Sequence, residues 1–522
     1  MLKTNNTYPV NFSRHELFFL GLLIILTLVQ WPFIIDYHHH GLMYSNAMDL
    51  NNGKIPYKEI YIQYGFLTTY VHSIALKVYS SYLSLAITTV SAYIIGIYFI
   101  TRIYCLYCVN RSWFFIPTIV MFQPAIYLPW SNYICFPFFL AGIFFGCRFL
   151  KDLCDLRLTA YSGALLGLAV LARESISIIV LATLVAILFC VYLRGVAFIE
   201  YLKIAGSFLL SFLLPLIVFL VYLDFKQIIG YWVLHSYQIP QIYIEEIFPW
   251  MNSLYFPFQF LKALAKGLID LNIRWWFLSL IILTGIWVLV NPKFLTGTDK
   301  SIRIIGVVTV LSTTAMFHIP EVWRFATLGL VGIVIPFLYF KSARAFWSGL
   351  VMSLVFSIYS ESSGFKLKYS ELVKKRDYSL STIPTLHGVA MDAESHASYL
   401  ELASIFQSLH KNYCPVEYIY NNTDNNFFYT ISGLKKAQIA PYEIGNHMIN
   451  GQSFDALRPD LGFNFRLQNA ETLILFSYDV SVASMLSDYK DHSVVWSGKV
   501  HGQTALLYLP TKCRHQSGLK LL

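Results

Sequence analysis

A chain of 522 residues that is 56% hydrophobic and only 13% charged lies far from soluble proteins, which carry about 25% charged residues. Its mean hydropathy is +0.55, which excludes an ordinary soluble globule and points to a polytopic membrane protein. The formal charge of +9 is not matched by an aromatic-interleaved basic patch, a zinc-finger spacing or a Gly-rich phosphate loop, so no nucleic-acid or nucleotide partner is expected.

The first apolar stretch, residues 17–35, is long enough to span and is followed by no small-x-small cleavage site, so it reads as an anchor rather than a cleaved signal. At its exit stands Asp36-Tyr37-His38-His39-His40-Gly41. Ionisable groups at the lip of a bilayer usually mark function, which makes this run the most informative in the chain. Asp36 reads either as the end of a helix or as a catalytic carboxylate. The three histidines read as an interfacial polar cluster, as substrate or phosphate contacts, or as metal ligands. In an extended strand Asp36, His38 and His40 would face one way, which is the case for a metal.

A short helix is expected over 42–52, stopped by Gly53. Gln63-Tyr64-Gly65 reads as a turn, and Asp49 and Glu59 as solvated. Residues 66–79 are amphipathic, with Phe66, Leu67, Tyr70, Val71, Ile74, Ala75 and Val78 on one side and Thr68, Thr69, His72 and Ser73 on the other. Fourteen residues are short for a span, so the segment is expected to lie in the interface.

Further spans are expected at 82–103, 113–129, 132–149, 159–172, 174–193, 204–223, 275–291, 302–317, 325–340 and 346–359, about eleven with the first. With the N-terminus in the cytoplasm, Arg102 and Arg111, Arg148 with Lys151 and Arg157, Arg194 with Lys203, Lys293 with Lys300 and Arg303, and Lys341 with Arg344 all fall in cytoplasmic loops, as the positive-inside rule asks. The C-terminus is then external. The transmembrane domain is expected over 1–359, with a first external loop at 36–81 and a large aromatic one at 224–274, and a small external α/β domain over 360–522. In that domain a helix is predicted near 394–411, strands at 416–420 and 472–477, a helix near 481–488 and strands near 493–497 and 504–509. Cys105-x-x-Cys108 lacks a second metal-binding half and reads as helix packing. Cys414 and Cys513 are the only cysteines of the tail, and a disulfide between them is expected.

A span, an acidic residue at the lipid boundary, juxtamembrane helices, many spans and a soluble tail resemble the GT-C membrane glycosyltransferases. That superfamily includes lipid A aminoarabinose transferases and protein O-mannosyltransferases. Asp36-x-His38-His39-His40-Gly41 with Gln63-Tyr64-Gly65 resembles the first loop of poorly characterised bacterial members, where Asp-x-His-His-Asp-Gly is frequent and His40 here replaces the second acid. Phe317 to Phe325 and Tyr420-Asn421-Asn422-Thr423-Asp424 also resemble later stretches of those proteins.

The resemblance implies an inner-membrane enzyme that moves a sugar from a polyprenyl-phosphate donor to an envelope glycan, lipid or protein acceptor on the outer face, with inversion at the sugar. Asp36 is then the general base, and His38, His39, His40, Tyr64, Arg173, Glu174, His318, Glu321 and Arg324 are candidates for binding substrate. Arg173 with Glu174 also reads as a structural ion pair, and Arg324 as a snorkelling anchor. Many members have a second carboxylate in the next external loop. Here Leu128-Pro129-Trp130-Ser131-Asn132-Tyr133 has none, which favours a mechanism without cofactor and disfavours a divalent metal. The rival readings are a transporter or flippase of a lipid-linked or polar substrate, and a surface-polysaccharide polymerase or ligase. The first lacks the internal repeat common in transporters. The second lacks an arginine cluster beside His235 in the 224–274 loop.

Overall fold

In lipid a backbone must satisfy its own hydrogen bonds, so apolar runs become helices. The computed structural model describes residues 14, 17–18, 20–22, 24–25, 31–33, 35–62, 65–107, 115, 128–152, 155–241, 256–270, 273–291, 301–316, 324–325, 327–339, 378–411, 416–423, 425–436, 473–477, 492–511 and 513. Helices dominate through residue 339: α1 (His39–Asn51), α2 (Phe66–Val78), α3 (Tyr82–Tyr107), α4 (Ser131–Asp152), α5 (Leu156–Ala172), α6 (Ser177–Tyr192), α7 (Phe198–Phe225), α8 (Ile229–Val233), α9 (Phe256–Ile269), α10 (Ile273–Val290), α11 (Ile302–Leu311) and α12 (Val334–Tyr339). Among the described residues four helical segments, Tyr82–Tyr107, Ser131–Lys151, Glu174–Tyr192 and Phe198–Phe225, are long and apolar enough to cross a membrane. The other apolar helices are shorter, so the expected count of about eleven spans is not reproduced among these residues. The spans expected at 113–129 and 346–359 lie outside the described residues except for Phe115, Leu128 and Pro129, and parts of 17–35 lie outside them too.

Two observations make this a multi-pass membrane protein. The first is those four helices. The second is the wide exposed apolar face of α7, where Leu210, Leu214, Val218, Val221 and Phe225 all point outward, an arrangement that water would oppose. Inside the bundle, Gly163 and Gly167 of α5 lie directly on the backbone of α7, where an added Cβ would strike the carbonyl oxygens of Phe208 and Phe212. Small residues four apart allow this close approach of membrane helices.

The tail after residue 378 holds a two-stranded ladder, β1 (Ser379–Leu380) with β2 (Ala390–Met391), then α13 (Ala393–Lys411), β3 (Tyr418–Asn422), α14 (Phe427–Ser432), β4 (Lys435–Lys436), β5 (Leu473–Ser477), β6 (His492–Val500) and β7 (Gln503–Pro510). The main sheet has the order β4-β3-β5-β7-β6. β3 pairs in parallel with β4 and β5, and β7 is antiparallel to β5 and β6. The expected α/β alternation is therefore present where residues are described; the helix expected near 481–488 lies outside them.

The tail is not a separate globule. Met43, Tyr44 and Ala47 of α1, with Leu76 of α2 and Tyr82 and Leu85 of α3, share one buried cluster with Leu386, Tyr399, Phe427, Phe428, Trp496 and Leu507 of the tail. Tyr44 stacks on Tyr82 with ring centroids 4.1 Å apart, and the Tyr82 hydroxyl lies 2.9 Å from Thr430 Oγ1. The first loop is thus gripped from both sides, by the bundle and by the tail.

Candidate functional site

The site starts from the way Asp36 opens α1. Its Oδ1 accepts the backbone N–H groups of His38 at 2.6 Å and His39 at 2.9 Å, occupying donors that a helix N-terminus leaves without intrahelical partners. This lets α1 begin at His39, three residues earlier than the sequence pattern suggests, and it corrects the extended-strand reading: Asp36, His38 and His40 do not line one edge. The second oxygen, Oδ2, meets His39 Nδ1 at 3.0 Å. Asp36 is about one-quarter exposed and His39 about one-third, with side-chain values of 24% and 30%.

Burial by itself would raise the Asp36 carboxyl, but the hydrogen bonds and charge of His39 and His40 outweigh it and hold the group well below the usual carboxylate range. His40 meets Asp36 differently from His39. Its Nδ1 accepts the Asp36 backbone N–H at 3.2 Å, so that nitrogen carries no proton and its 3.8 Å approach to Oδ2 is not an ion pair. His40 is fully buried and His39 is not. His38 and His39 are both partly exposed. His38 sits at the helix edge, its ring perpendicular to that of His39 at 4.5 Å.

Across from His39 stands Trp130, just before α4, with ring centroids 4.9 Å apart and nearly edge-on. The Arg324 guanidinium lies over the same indole, 5.5 Å from its centroid, a cation–π arrangement. Trp130 is held in place by α2: the buried His72 Nε2 donates to the carbonyl of Pro129 at 3.1 Å. Burial pulls the His72 imidazole down to about 4, with the Pro129 bond working against this and His40 adding to it, so the ring is a neutral strut.

The amphipathic segment over 66–79 forms the expected helix with its faces set in a revealing way. Thr68, Thr69, His72 and Ser73 are buried against the protein, and Thr68 Oγ1 donates to Ala172 O at 2.8 Å. Tyr70, Ile74 and Val78 are exposed. An apolar face turned outward suits a helix lying against lipid with its polar side on the site. α1 and α2 pack together beside Asp36.

The second cluster of expected residues forms a different place. Glu174 Oε1 accepts Trp232 Nε1 at 2.9 Å and the Tyr57 hydroxyl at 3.5 Å, and Arg173 Nε donates to Ser175 Oγ at 3.0 Å. The ion-pair reading of Arg173 with Glu174 is therefore corrected: aromatic donors, not the neighbouring cation, hold the carboxylate. Burial and the nearby Glu174 push the Tyr57 hydroxyl well above its ordinary value, keeping it a donor. Asp49 is also corrected. It is not solvated but nearly buried between Lys54 Nζ at 2.6 Å and Lys436 Nζ at 3.2 Å. Glu59, by contrast, is exposed, with Oε2 accepting Ile55 N–H at 2.6 Å.

Tyr64, His318 and Glu321 lie outside the described residues. Cys513 is disulfide-bonded, and its expected partner Cys414 lies outside them too. Among the described residues no group of three or more His, Cys, Asp or Glu side chains is arranged to hold a metal ion. The Asp36–His39 pair offers at most two donors to a cation, and both inner atoms are already bonded to each other.

No protein-family model and no curated protein matches the chain. Among solved structures it is similar to ArnT from Cupriavidus metallidurans bound to undecaprenyl phosphate, at 11% identity and a TM-score of 0.46 over 95% of this chain and 98% of that one. The apo state of ArnT gives 11% and 0.46 over 94% and 98%. The archaeal oligosaccharyltransferase AglB from Archaeoglobus fulgidus, in complex with an inhibitory peptide and a dolichol-phosphate, gives 10% and 0.47 over 95% of this chain and 74% of AglB.

Sequence reading missed Trp130, His72 and two tail residues that reach the loop. Asn426 donates through Nδ2 to the carbonyl of His38 at 2.9 Å and through its backbone N–H to that of Tyr37 at 3.0 Å. His501 stacks on Tyr37 at 4.6 Å and 19°. The signal available was the polar run from Asn421 to Asn426, whose asparagines suit a hydrogen-bonded turn at the end of β3. In the structure Asn421 Oδ1 takes Thr423 Oγ1 at 2.7 Å and Asn425 Nδ2 reaches the Tyr399 hydroxyl at 2.6 Å. That turn delivers Asn426 to the loop.

Proposed function

We propose that this protein is a membrane glycosyltransferase that moves a sugar from a polyprenyl-phosphate carrier to an acceptor on the outer face of the membrane, with inversion and with Asp36 at its acid–base centre. One observation carries the reading. Asp36 is bonded to His39, which faces Trp130, and the Arg324 guanidinium rests on the same indole. An acid–base pair, an aromatic surface suited to a sugar's C–H face and a cation for a departing phosphate thus meet where the first loop joins the bundle. This is the division of labour expected of sugar transfer from a lipid phosphate: proton removal from the attacking hydroxyl and charge stabilisation of the leaving group. Arg173 and Glu174 belong to the neighbouring aromatic cluster and serve donor placement; the loop residues His38 and His40 hold the shape of the centre. The apolar outer face of α2 opens the site to the lipid-borne substrate.

The test uses purified protein in lipid nanodiscs with a panel of synthetic undecaprenyl-phosphate sugars and an extract of envelope glycans and lipids as acceptors. Wild-type protein should release undecaprenyl phosphate, detected by mass spectrometry, and the Asp36→Asn protein should not. Movement of intact lipid-linked sugar across the bilayer without release would favour a flippase. Neither release nor movement with any donor would end the reading.

A further inference from the structure

We infer that the atom accepting the acceptor's proton is His39 Nε2, and that Asp36 positions and polarises that imidazole rather than acting as the base itself. This rests on the glycosyl-transfer reading above and deepens it.

The argument begins with what Asp36 has left to offer. Oδ1 is held by two backbone N–H groups at 2.6 and 2.9 Å, and Oδ2 by His39 Nδ1 at 3.0 Å. A carboxylate satisfied at both oxygens is a weak base, and removing it from those bonds would also uncap α1. His39 shows the complementary pattern. With Nδ1–H donated to Asp36, the neutral tautomer leaves Nε2 as an acceptor. Nε2 has no hydrogen-bond partner among the described residues, and the side chain is 30% exposed. A carboxylate behind an imidazole whose far nitrogen is open fixes the tautomer and stabilises the cation that forms.

The groups facing His39 fit this task. From its own loop come Asp36 and the His38 ring at 4.5 Å; from the start of α4 comes the Trp130 indole, with Arg324 behind it at 5.5 Å. His40 and His72 lie further in, one accepting an amide N–H and the other donating to a carbonyl as a neutral ring. Asp36 is positioned to pair with the imidazolium that forms, and the Arg324 guanidinium stands over the indole that His39 faces.

The step balances as follows. The acceptor hydroxyl oxygen forms a bond to the anomeric carbon while the bond from that carbon to the phosphate oxygen breaks. The electron pair leaves with the polyprenyl phosphate, whose single negative charge becomes two. The hydroxyl proton passes to His39 Nε2, giving an imidazolium paired with Asp36, and is then lost to water through the exposed edge of the ring.

The test couples activity with a spectroscopic readout. His39→Asn keeps a donor near the place of Nδ1, and so the Asp36 contact, but removes Nε2. It should lower undecaprenyl-phosphate release by about 10²-fold or more, as should Asp36→Asn, and the double variant should be no worse than either alone. Imidazole should restore part of the activity of His39→Ala. In ¹⁵N-histidine-labelled wild-type protein, His39 should show the Nδ1–H tautomer, and its titration should move to lower pH in Asp36→Asn. Full release by His39→Asn with loss in Asp36→Asn would return the proton to Asp36 and overturn the inference. An Nε2–H tautomer, or a His39 titration indifferent to Asp36→Asn, would overturn it whatever the sugar. Wild-type protein inactive on every donor would instead defeat the glycosyl-transfer reading, and the catalytic role of His39 with it.

Discussion

The two ends of α1 each carry an aspartate, and the two have been put to opposite uses. Asp49, at the C-terminal end, sits between Lys54 and Lys436 with a side-chain exposure of 13%. Its partners are two ammonium groups, one from the first loop and one from the tail. Burial lowers the Lys436 ammonium from its ordinary value, with Asp49 opposing that shift and Lys54 adding to it. Asp36, just before the N-terminal end, is bonded to the imidazole of His39, which stands against the Trp130 indole. A carboxylate between fixed charges is a fastener; a carboxylate behind an imidazole can take part in proton transfer. The residue type is the same, and the partner's chemistry decides the role.

The sharpest way to break this contrast is to remove each carboxylate in turn. Asp49→Ala leaves two lysines facing each other in a nearly buried seam and should destabilise by about 3–5 kcal/mol, seen as a lower unfolding midpoint in detergent, while each molecule that remains folded retains transfer. Asp49→Leu combined with Lys436→Met should recover most of that loss, because a buried ion pair can often be replaced by apolar groups. Asp36→Asn should do the reverse, retaining most of the stability and lowering transfer by about 10²-fold or more. Equal effects of the two single changes on transfer per folded molecule would erase the distinction.

A second test concerns the strut beneath the site. Unfolded, His72 binds a proton below about 6.5; folded, it stays neutral down to about 4. The unfolded state therefore binds more protons within that window, and stability should fall as pH drops from 6.5 toward 4, with no contribution from this group above it. His72→Gln keeps a donor for Pro129 without titrating, and the slope of midpoint against pH should flatten. Smaller still is the effect expected of Gly41→Ala. Its Cβ would come within 2.6 Å of Asn426 Cβ and 2.8 Å of the Asn426 carbonyl carbon, prising α1 from the tail at a cost of about 1–3 kcal/mol, with a parallel drop in transfer if the tail helps hold the loop.

Much of this was open to sequence reading, and the failures have physical causes. The helices at α1 and α2 were legible from periodicity, whereas the hydrogen bonds accepted by Asp36 that start α1 three residues early were not. Periodicity separates two faces of α2 but does not say which one faces outward; the exposed Ile74 and Val78 and the buried His72 do. The tail's elements were visible as alternation from α13 to β7, but its grip on the first loop was not. That grip is made by single side chains such as Asn426 and Thr430, whose partners stand as far as 388 positions away. Nothing local marks such contacts. Asp49 looked solvated for the same reason, since Lys436 comes from the far end of the chain.

The shared core also sets a schedule for making the protein. The Tyr82 hydroxyl waits for Thr430, 348 positions later, and at roughly 5–20 residues per second of synthesis that is about 20–70 s. During that interval the first loop has left the ribosome with Tyr44, Tyr82 and Leu85 uncovered by the tail. A ribosome that stops early therefore releases a bundle without a finished centre. Until the last strands are made, the Asp36 loop lacks the Asn426 and His501 contacts that brace it, so the centre is completed only when the tail is.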